Sequence, residues 1–531
     1  MIRRLAAAAL AVLAACASQP VSAPPHSEPI AGPDVFDARR ADWRIGAVTY
    51  QVFVDRYVPS ADLDAKRGLY APPRTLQEWT NPPTAGEKVD GSIHWSHELA
   101  FWGGDLASLR TKVGYLNGLG VDVLYLNPIQ LADSNHKYDA IDYREISPEY
   151  GTKADLRALA EELHADGMHL VLDGVFNHMG ENSRWFLDAQ SSPDSPYRDW
   201  FTFDPSVRNG YVGWWGIAAL PELKWENPEV RAEIVDKPDS VVRSWFGDGI
   251  DGWRLDVATE LGLDNLAAIT RASHEERPGS LVIGEVWSYP SRWTAAMDAV
   301  MNFALRQSLF AYVEGRVSGP QFATDMDDMI ADCGLDPILR SWILLDNHDT
   351  PRFRTLYPDE RDRAFLQSLQ FTLPGSPLVY YGVEAGMEGG EDPGSRGPMQ
   401  WQDATPANPE FARLAGLAAL RKSSPALRVG DYVPLATRSA FAFLRVTDKS
   451  EDTVLIVANA GDAPVHESLL IRDPFLMNGD TYRDVRTGAA FNSQSGVLEL
   501  DVPGKTVLIL KPERWPGMKE RTGHTPYKRI P

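Results

Sequence analysis

Eight short apolar runs recur along the chain with helical patterns between them, and this alternation constrains the fold more than any other feature. The runs are AVTYQVF (47–53), VDVLYLNP (121–128), LVLDGVFN (170–177), IDGWRLDV (250–257), LVIGEVW (281–287), AVMNFAL (299–305), SWILLDNHD (341–349) and PLVYYGVE (377–384). Between them, DLASLRTKVGYLNGLG places Leu106, Leu109, Val113 and Leu116 on one helical face, and DLRALAEELHADG repeats the pattern up to Gly167. NPEVRAEIVDKPDSVVRSWFGDG and ERDRAFLQSLQFTLPG read the same way. Strands joined by crossover helices run parallel, and eight such units close into a barrel. The expected class is therefore α/β, a (β/α)8 TIM barrel over residues 42–425. The aromatic-rich stretch 178–226 after strand three forms a small inserted domain over the C-terminal face. Beyond 425 the helical patterns stop. AFAFLRVT, DTVLIVANA, ESLLIRD, VLELDVPG and TVLILKP are separated only by turns, which predicts an all-β sandwich over 426–513 and a tail at 514–531.

In such a barrel the reactive groups lie where the strands end at the C-terminal face. Strand three ends in Asn177 and His178, strand four in Arg254 and Asp256, strand five in Glu285 and strand seven in His348 and Asp349. Side chains alternate along a strand. Gly252, Arg254 and Asp256 thus face the barrel mouth, while Trp253, Leu255 and Val257 face the helices. Arg254 is expected to keep Asp256 ionised, and Glu285, beside Trp287, to hold its proton. Two carboxyls with divergent proton affinities are what a retaining glycosidase needs. Asp248 and Asp251 fall at the strand entry, the end that serves stability.

The N-terminus reads as a targeting segment. Arg3 and Arg4 precede the short apolar run LAAAALAVL, and LAAC ends at Cys16. Small residues before a cysteine resemble a bacterial lipoprotein signal over residues 1–16, with lipidation at Cys16 and residues 17–41 as a flexible tether. This predicts export to the periplasm or outer membrane, with membrane contact only through the anchor. The net charge of −21 argues against a nucleic-acid partner. Cys16 and Cys333 are the only cysteines, so no disulfide framework is expected. His94 and His97 have H-x-x-H spacing, but no acid at zincin spacing accompanies them and no zinc site is expected. PGKT near the C-terminus lacks the first glycine of a P-loop.

These residues resemble glycoside hydrolase family 13, the α-amylase family. DGVFNH (173–178), GWRLDVATE (252–260), GEVW (284–287) and LLDNHDTPR (344–352) are similar to its four ordered signatures, and SNHKYDAIDY (134–143) to a further segment. The resemblance implies Asp256 as nucleophile, Glu285 as general acid/base and Asp349 as transition-state stabiliser. It implies Arg254, His348, His178 and Tyr138 around the sugar at the cleavage point, and Trp214, Trp215 and Glu260 at further subsites. The substrate implied is an α-glucan, with no cofactor required. YQVFVDRY, GGDL, HKYDAIDY and YYGVEAGMEGGEDPGSRGPMQW resemble the neopullulanase, cyclomaltodextrinase and maltogenic amylase branch. Fewer than 50 residues precede the first strand, so that branch's starch-binding N-terminal domain is not expected, and the oligomeric state stays open. LPELK (220–224) and the Thr-Glu ending of the second signature depart from the usual pattern. VDRYVPSADLDAKRG sits where relatives bind calcium, with Asp55, Asp62 and Asp64 as candidate ligands. Two alternatives use the same residues: a transglycosylase, and a non-catalytic glucan-binding lipoprotein.

Overall fold

The computed structural model describes residues 32–473, 476 and 479–513. Cys16, the tether up to residue 31 and the tail 514–531 lie outside these described residues. Eight parallel strands close into a barrel: β1 (Thr49–Val52), β2 (Val123–Leu126), β3 (His169–Gly174), β4 (Gly252–Leu255), β5 (Leu281–Val286), β6 (Ala299–Asn302), β7 (Trp342–Leu344) and β8 (Ser376–Tyr380). Each of the eight runs supplies one strand. Tyr125, Val171, Ile283, Met301, Trp342, Leu344 and Leu378 fill the barrel interior. Register sets the floor of the site, because Asp173 of β3 pairs laterally with Arg254 of β4. Gly252 permits the β4–β5 approach. A Cβ there would lie 2.2 Å from the Leu281 carbonyl oxygen.

The helices depart from the reading where the chain cannot sustain them. Residues 228–248 form a run of short helical turns, broken around Pro238, which has no N–H to continue the ladder. The expected tether is helical at its end. Pro33–Ala41 forms a helix with Phe36 fully buried, and Arg39 reaches Asp336, Asp431 and the Val429 carbonyl. Its anchoring partners lie about 300 and 400 positions away in the chain, beyond any local pattern. A second long excursion, residues 54–105, joins β1 to its helix and carries a two-stranded parallel ladder, Thr75–Leu76 with Ala100–Phe101. The 178–226 insert packs Phe186, Phe201, Trp200 and Tyr211 into the same core as the barrel helices.

The C-terminal region is an eight-stranded antiparallel sheet: β9 (Asp431–Leu435), β10 (Phe441–Val446), β11 (Val454–Asn459), β12 (Val465–Leu470), β13 (Thr481–Asp484), β14 (Ala490–Gln494), β15 (Val497–Val502) and β16 (Thr506–Glu513). Its order is β9-β10-β11-β16-β13-β14-β15-β12. One face of β10, β11 and β16 (Ala442, Leu444, Leu455, Val457, Leu508) packs against Leu469, Leu498 and Leu500 of the outer strands, which makes the sandwich. The other face (Phe441, Phe443, Ile456, Ile509) packs on the barrel residues Leu309, Tyr312, Phe322 and Phe365. Burial on both sides explains why these strands read as unbroken apolar runs. Three strands of mixed polarity, β9, β13 and β14, escape that reading.

At the barrel's lower end Asp248 is paired with Lys153 and Arg157, and Asp251 with His164 and Arg277. Both aspartates serve stability, as expected. Burial opposes the ionised Asp251, but hydrogen bonds from His164, His169 and the Leu170 N–H outweigh it and hold the carboxyl well below the ordinary 3.8. A depressed folded-state pKa stabilises at pH above the unfolded value and is lost as the pH falls through the folded one. Asp251→Asn should cost about 1.5–3 kcal/mol at pH 7. The deficit, followed as Tm against pH, should narrow below pH 3.8.

Candidate active site

Arg254 is the hub. It is completely buried, and Nη1 donates to Asp173 Oδ1 at 2.8 Å and to Asp256 Oδ1 at 2.9 Å. Nη2 lies 3.1 Å from Glu285 Oε2, without hydrogen-bond alignment. A fully buried guanidinium needs close partners to offset its lost hydration, and here three carboxylates surround it. The chain turns sharply beyond it. Strand β4 ends at Leu255, and Val257 adopts φ 46°, a left-handed conformation that a β-branched residue rarely takes. Val257 therefore does not continue the apolar face expected of it. Its N–H donates instead to Glu285 Oε2 at 3.1 Å, which ties the backbone beside Asp256 to the second carboxylate.

Glu285 receives a further hydrogen bond on Oε1, from Trp287 Nε1 at 2.9 Å. The indole is half-exposed and stacked on Phe303, so it orients the carboxylate instead of burying it. Asp256 departs from the expectation that Arg254 would keep it ionised. Burial, and then the Glu285, Asp173 and Asp349 carboxylates, push its carboxyl well above the usual range, against the pull of Arg254. Four carboxylates share one rim.

A second layer fixes the aromatic platform. Tyr138 O–H donates to Asp173 Oδ2 at 3.0 Å, and its oxygen accepts from Asn127 Nδ2 at 2.9 Å. His348 Nε2 lies 2.7 Å from the same oxygen and 3.0 Å from Asp349 Oδ2. Gln51 Nε2 donates to His348 Nδ1 at 3.0 Å, which leaves the Nε2–H to face Tyr138 and Asp349. Burial first, then Arg396 and Arg254, hold His348 well below its ordinary pKa, so it is neutral. The Tyr138 and His348 rings lie parallel within 2°, 5.3 Å apart. Asp349 is the exposed carboxylate of the group, and Arg396 Nη2 donates to its Oδ1 at 3.0 Å.

The structure brings Asp256, Glu285, Asp349, Arg254, Tyr138 and His348 into one contact network. His178 stands beside it. Its Nε2–H donates to the Tyr138 carbonyl at 3.1 Å, and its ring stacks on Trp214. Burial pushes it down to about 4. Trp215 stacks on Trp214 and is 81% exposed, a flat apolar surface open to solvent. Glu260 sits exposed on the short helix Ala258–Leu261 that follows Asp256, outside the network, and its charge helps raise the Glu222 carboxyl after burial. Arg396, Gln51 and Asn127 were not singled out from the sequence. GSR within the segment 381–401 is the one signal for Arg396.

The calcium ligands do not assemble. Asp55 is buried, with Arg56 Nε and the N–H groups of Trp102 and Gly103 on its oxygens. Asp62 and Asp64 are exposed, and Asp64 pairs with Arg67. Among the described residues, groups of three or more candidate ligands occur only at His164–His169–Asp251 and His94–Asp133–Asp139.

A (β/α)8 barrel whose C-terminal rim gathers two buried carboxyls around one arginine, with a third beside a neutral histidine and an aromatic platform, is the architecture of a glycoside hydrolase. The family "Alpha amylase, catalytic domain" matches residues 51–416, and the chain belongs to the α-amylase family of glycoside hydrolases. It is 32% identical to neopullulanase 2 of Thermoactinomyces vulgaris, over 88% of this chain and 78% of that one. It is 31% identical to a cyclomaltodextrinase of Geobacillus thermopakistaniensis, over 91% and 79%. Among solved structures it is similar to the cyclic α-maltosyl-(1→6)-maltose hydrolase of Arthrobacter globiformis. There the TM-score is 0.72 at 28% identity, covering 87% of this chain and all of that one.

Proposed function

We propose that the protein hydrolyses α-1,4-glucosidic bonds of maltodextrins or cyclodextrins with retention of configuration. The observation that carries this reading is the contact of one guanidinium with both Asp256 and Glu285, since retaining enzymes need their two carboxyls close together. The ionised Asp256 attacks the anomeric carbon. The bond to the leaving oxygen breaks, and Glu285 gives that oxygen its proton. Glu285, now a carboxylate, takes a proton from water, whose oxygen displaces Asp256 from the same carbon. Two inversions restore the α configuration. Arg254, hydrogen-bonded to Asp256, orients that carboxylate for the attack. Asp349 and His348 face the sugar hydroxyls, and Tyr138 lies flat beneath the ring.

The names of the relatives support α-glucans as the substrate class, and the exposed Trp214–Trp215 stack suits a sugar chain. The N-terminal pattern ending at Cys16 supports export as a lipid-anchored protein. Incubation with maltoheptaose, β-cyclodextrin and pullulan, followed by sizing of the products, tests the reading. Shorter oligosaccharides are expected from at least one of the first two. Products longer than maltoheptaose would mark a transglycosylase, and unchanged substrates would overturn the enzymatic assignment.

A further inference from the structure

The H-x-x-H pair acquires partners that no local spacing reveals. His97 is engaged elsewhere, since its Nδ1 accepts the Gly86 N–H at 3.2 Å. His94 is only 6% exposed, and its Nε2 has no hydrogen-bond partner. That atom lies 3.8 Å from Asp139 Oδ2. Asp133 completes the group, and the three ligand atoms lie within 4.8 Å of one another. On the opposite edge of the ring, Nδ1 faces the Glu98 carboxylate at 3.6 Å. Burial works against a charge on this ring, but Glu98 on one edge and Asp139 and Asp133 on the other outweigh it and favour positive charge there. The unpartnered Nε2 thus points at two carboxylates, a place where a bound cation can stand in for the ring proton.

We propose that His94, Asp133 and Asp139 bind a divalent first-row cation of the zinc type, bridging the 54–105 excursion and the hairpin turn that carries both aspartates. One imidazole nitrogen and two carboxylate oxygens suit zinc better than calcium, which prefers oxygen alone. Glu98 behind His94 is the outer-shell carboxylate that metal-bound histidines usually have. Each aspartate is oriented by a partner: Ser134 N–H and hydroxyl on Asp139, and Asn182 Nδ2 on Asp133 Oδ2 at 2.6 Å. Arg74 approaches Asp133 Oδ1 at 3.7 Å, on the oxygen that Asn182 leaves free. Bond lengths of about 2.1 Å would draw the ligand atoms to about 3.4 Å apart, a modest closure of the loop around His94. The ion would tie that loop to the hairpin holding Tyr138, one residue before Asp139, and to the start of the inserted segment at Asn182.

The test uses the full chain, stripped with chelator, desalted and titrated with zinc chloride by calorimetry, with Tm measured in parallel. One equivalent is expected to bind with a rise in Tm. His94→Gln and Asp133→Asn should each weaken binding by 100-fold or more, on the order of losing a ligand, and Glu98→Gln by about 10–100-fold. Should His94→Gln fail to fold, Asp133→Asn decides, because that side chain is only part-buried. Absence of saturable binding would overturn the proposal. So would binding unchanged by the Asp133 substitution, or binding lost only in His164→Gln at the other histidine–aspartate group.

Discussion

Asp256→Asn should lower turnover of maltoheptaose by about 10⁴-fold or more, the scale of loss when a covalent nucleophile is removed. The substitution is nearly isosteric and leaves Arg254 hydrogen-bonded to Asp173, so the folded state should persist with a Tm close to wild type. Azide separates the roles of the two carboxyls. In Asp256→Gly, azide can enter from the face the carboxylate occupied and yields a β-glycosyl azide from an activated α-glycosyl fluoride. In Glu285→Ala, the covalent intermediate still forms from the fluoride, and azide then displaces Asp256 to give the α-glycosyl azide. Opposite anomers from the two variants would establish the assignment, and the same anomer from both would refute it. A near-normal rate for Asp256→Asn would remove the nucleophile assignment outright.

Arg254→Met should be the most destabilising single change at the site, by about 3–5 kcal/mol at pH 7, because it strands buried carboxylates without their cation. Asp173 shows the sign of the pH dependence. Burial already raises its carboxyl above 3.8, while Arg254 and the hydroxyls of Tyr125 and Tyr138 pull it down. Loss of the guanidinium raises the folded-state pKa further. A group raised in the folded state stabilises below its unfolded pKa and loses that stability as the pH rises through the folded one. The variant's deficit should therefore widen from pH 5 to pH 8. Chemical denaturation at the two pH values reads this directly, and a pH-independent deficit would contradict an electrostatic origin. Activity should fall with stability, since Asp256 loses its orienting partner.

The barrel and the rim residues were legible because their signals are local. Eight apolar runs punctuated by helical periods name the strands, and strand alternation puts Arg254 and Asp256 on one side. Residues whose roles depend on distant partners were not legible. Arg396 reaches Asp349 across 47 positions, and Gln51 reaches His348 across 297. The Pro33–Ala41 helix has the composition of a tether and is held only by contacts made after folding. The left-handed Val257 has no sequence mark at all, because valine ordinarily avoids that conformation. The raised proton affinity of Asp256 is hidden from the sequence for a related reason. Its arginine was visible two residues away, whereas the burial and the three carboxylates opposing it come from the closed barrel.

The two-sided burial of β10, β11 and β16 bears on how this protein can be cut and recombined. Phe441, Phe443, Ile456 and Ile509 form a wall shared with the barrel helices, so the seam near residue 425 is no natural break point. A truncated barrel would carry a contiguous greasy patch and should aggregate. A transplanted sandwich would need the same patch on its new host. The rim segments 54–105 and 178–226 contribute nothing to that wall and belong to the barrel's own core instead.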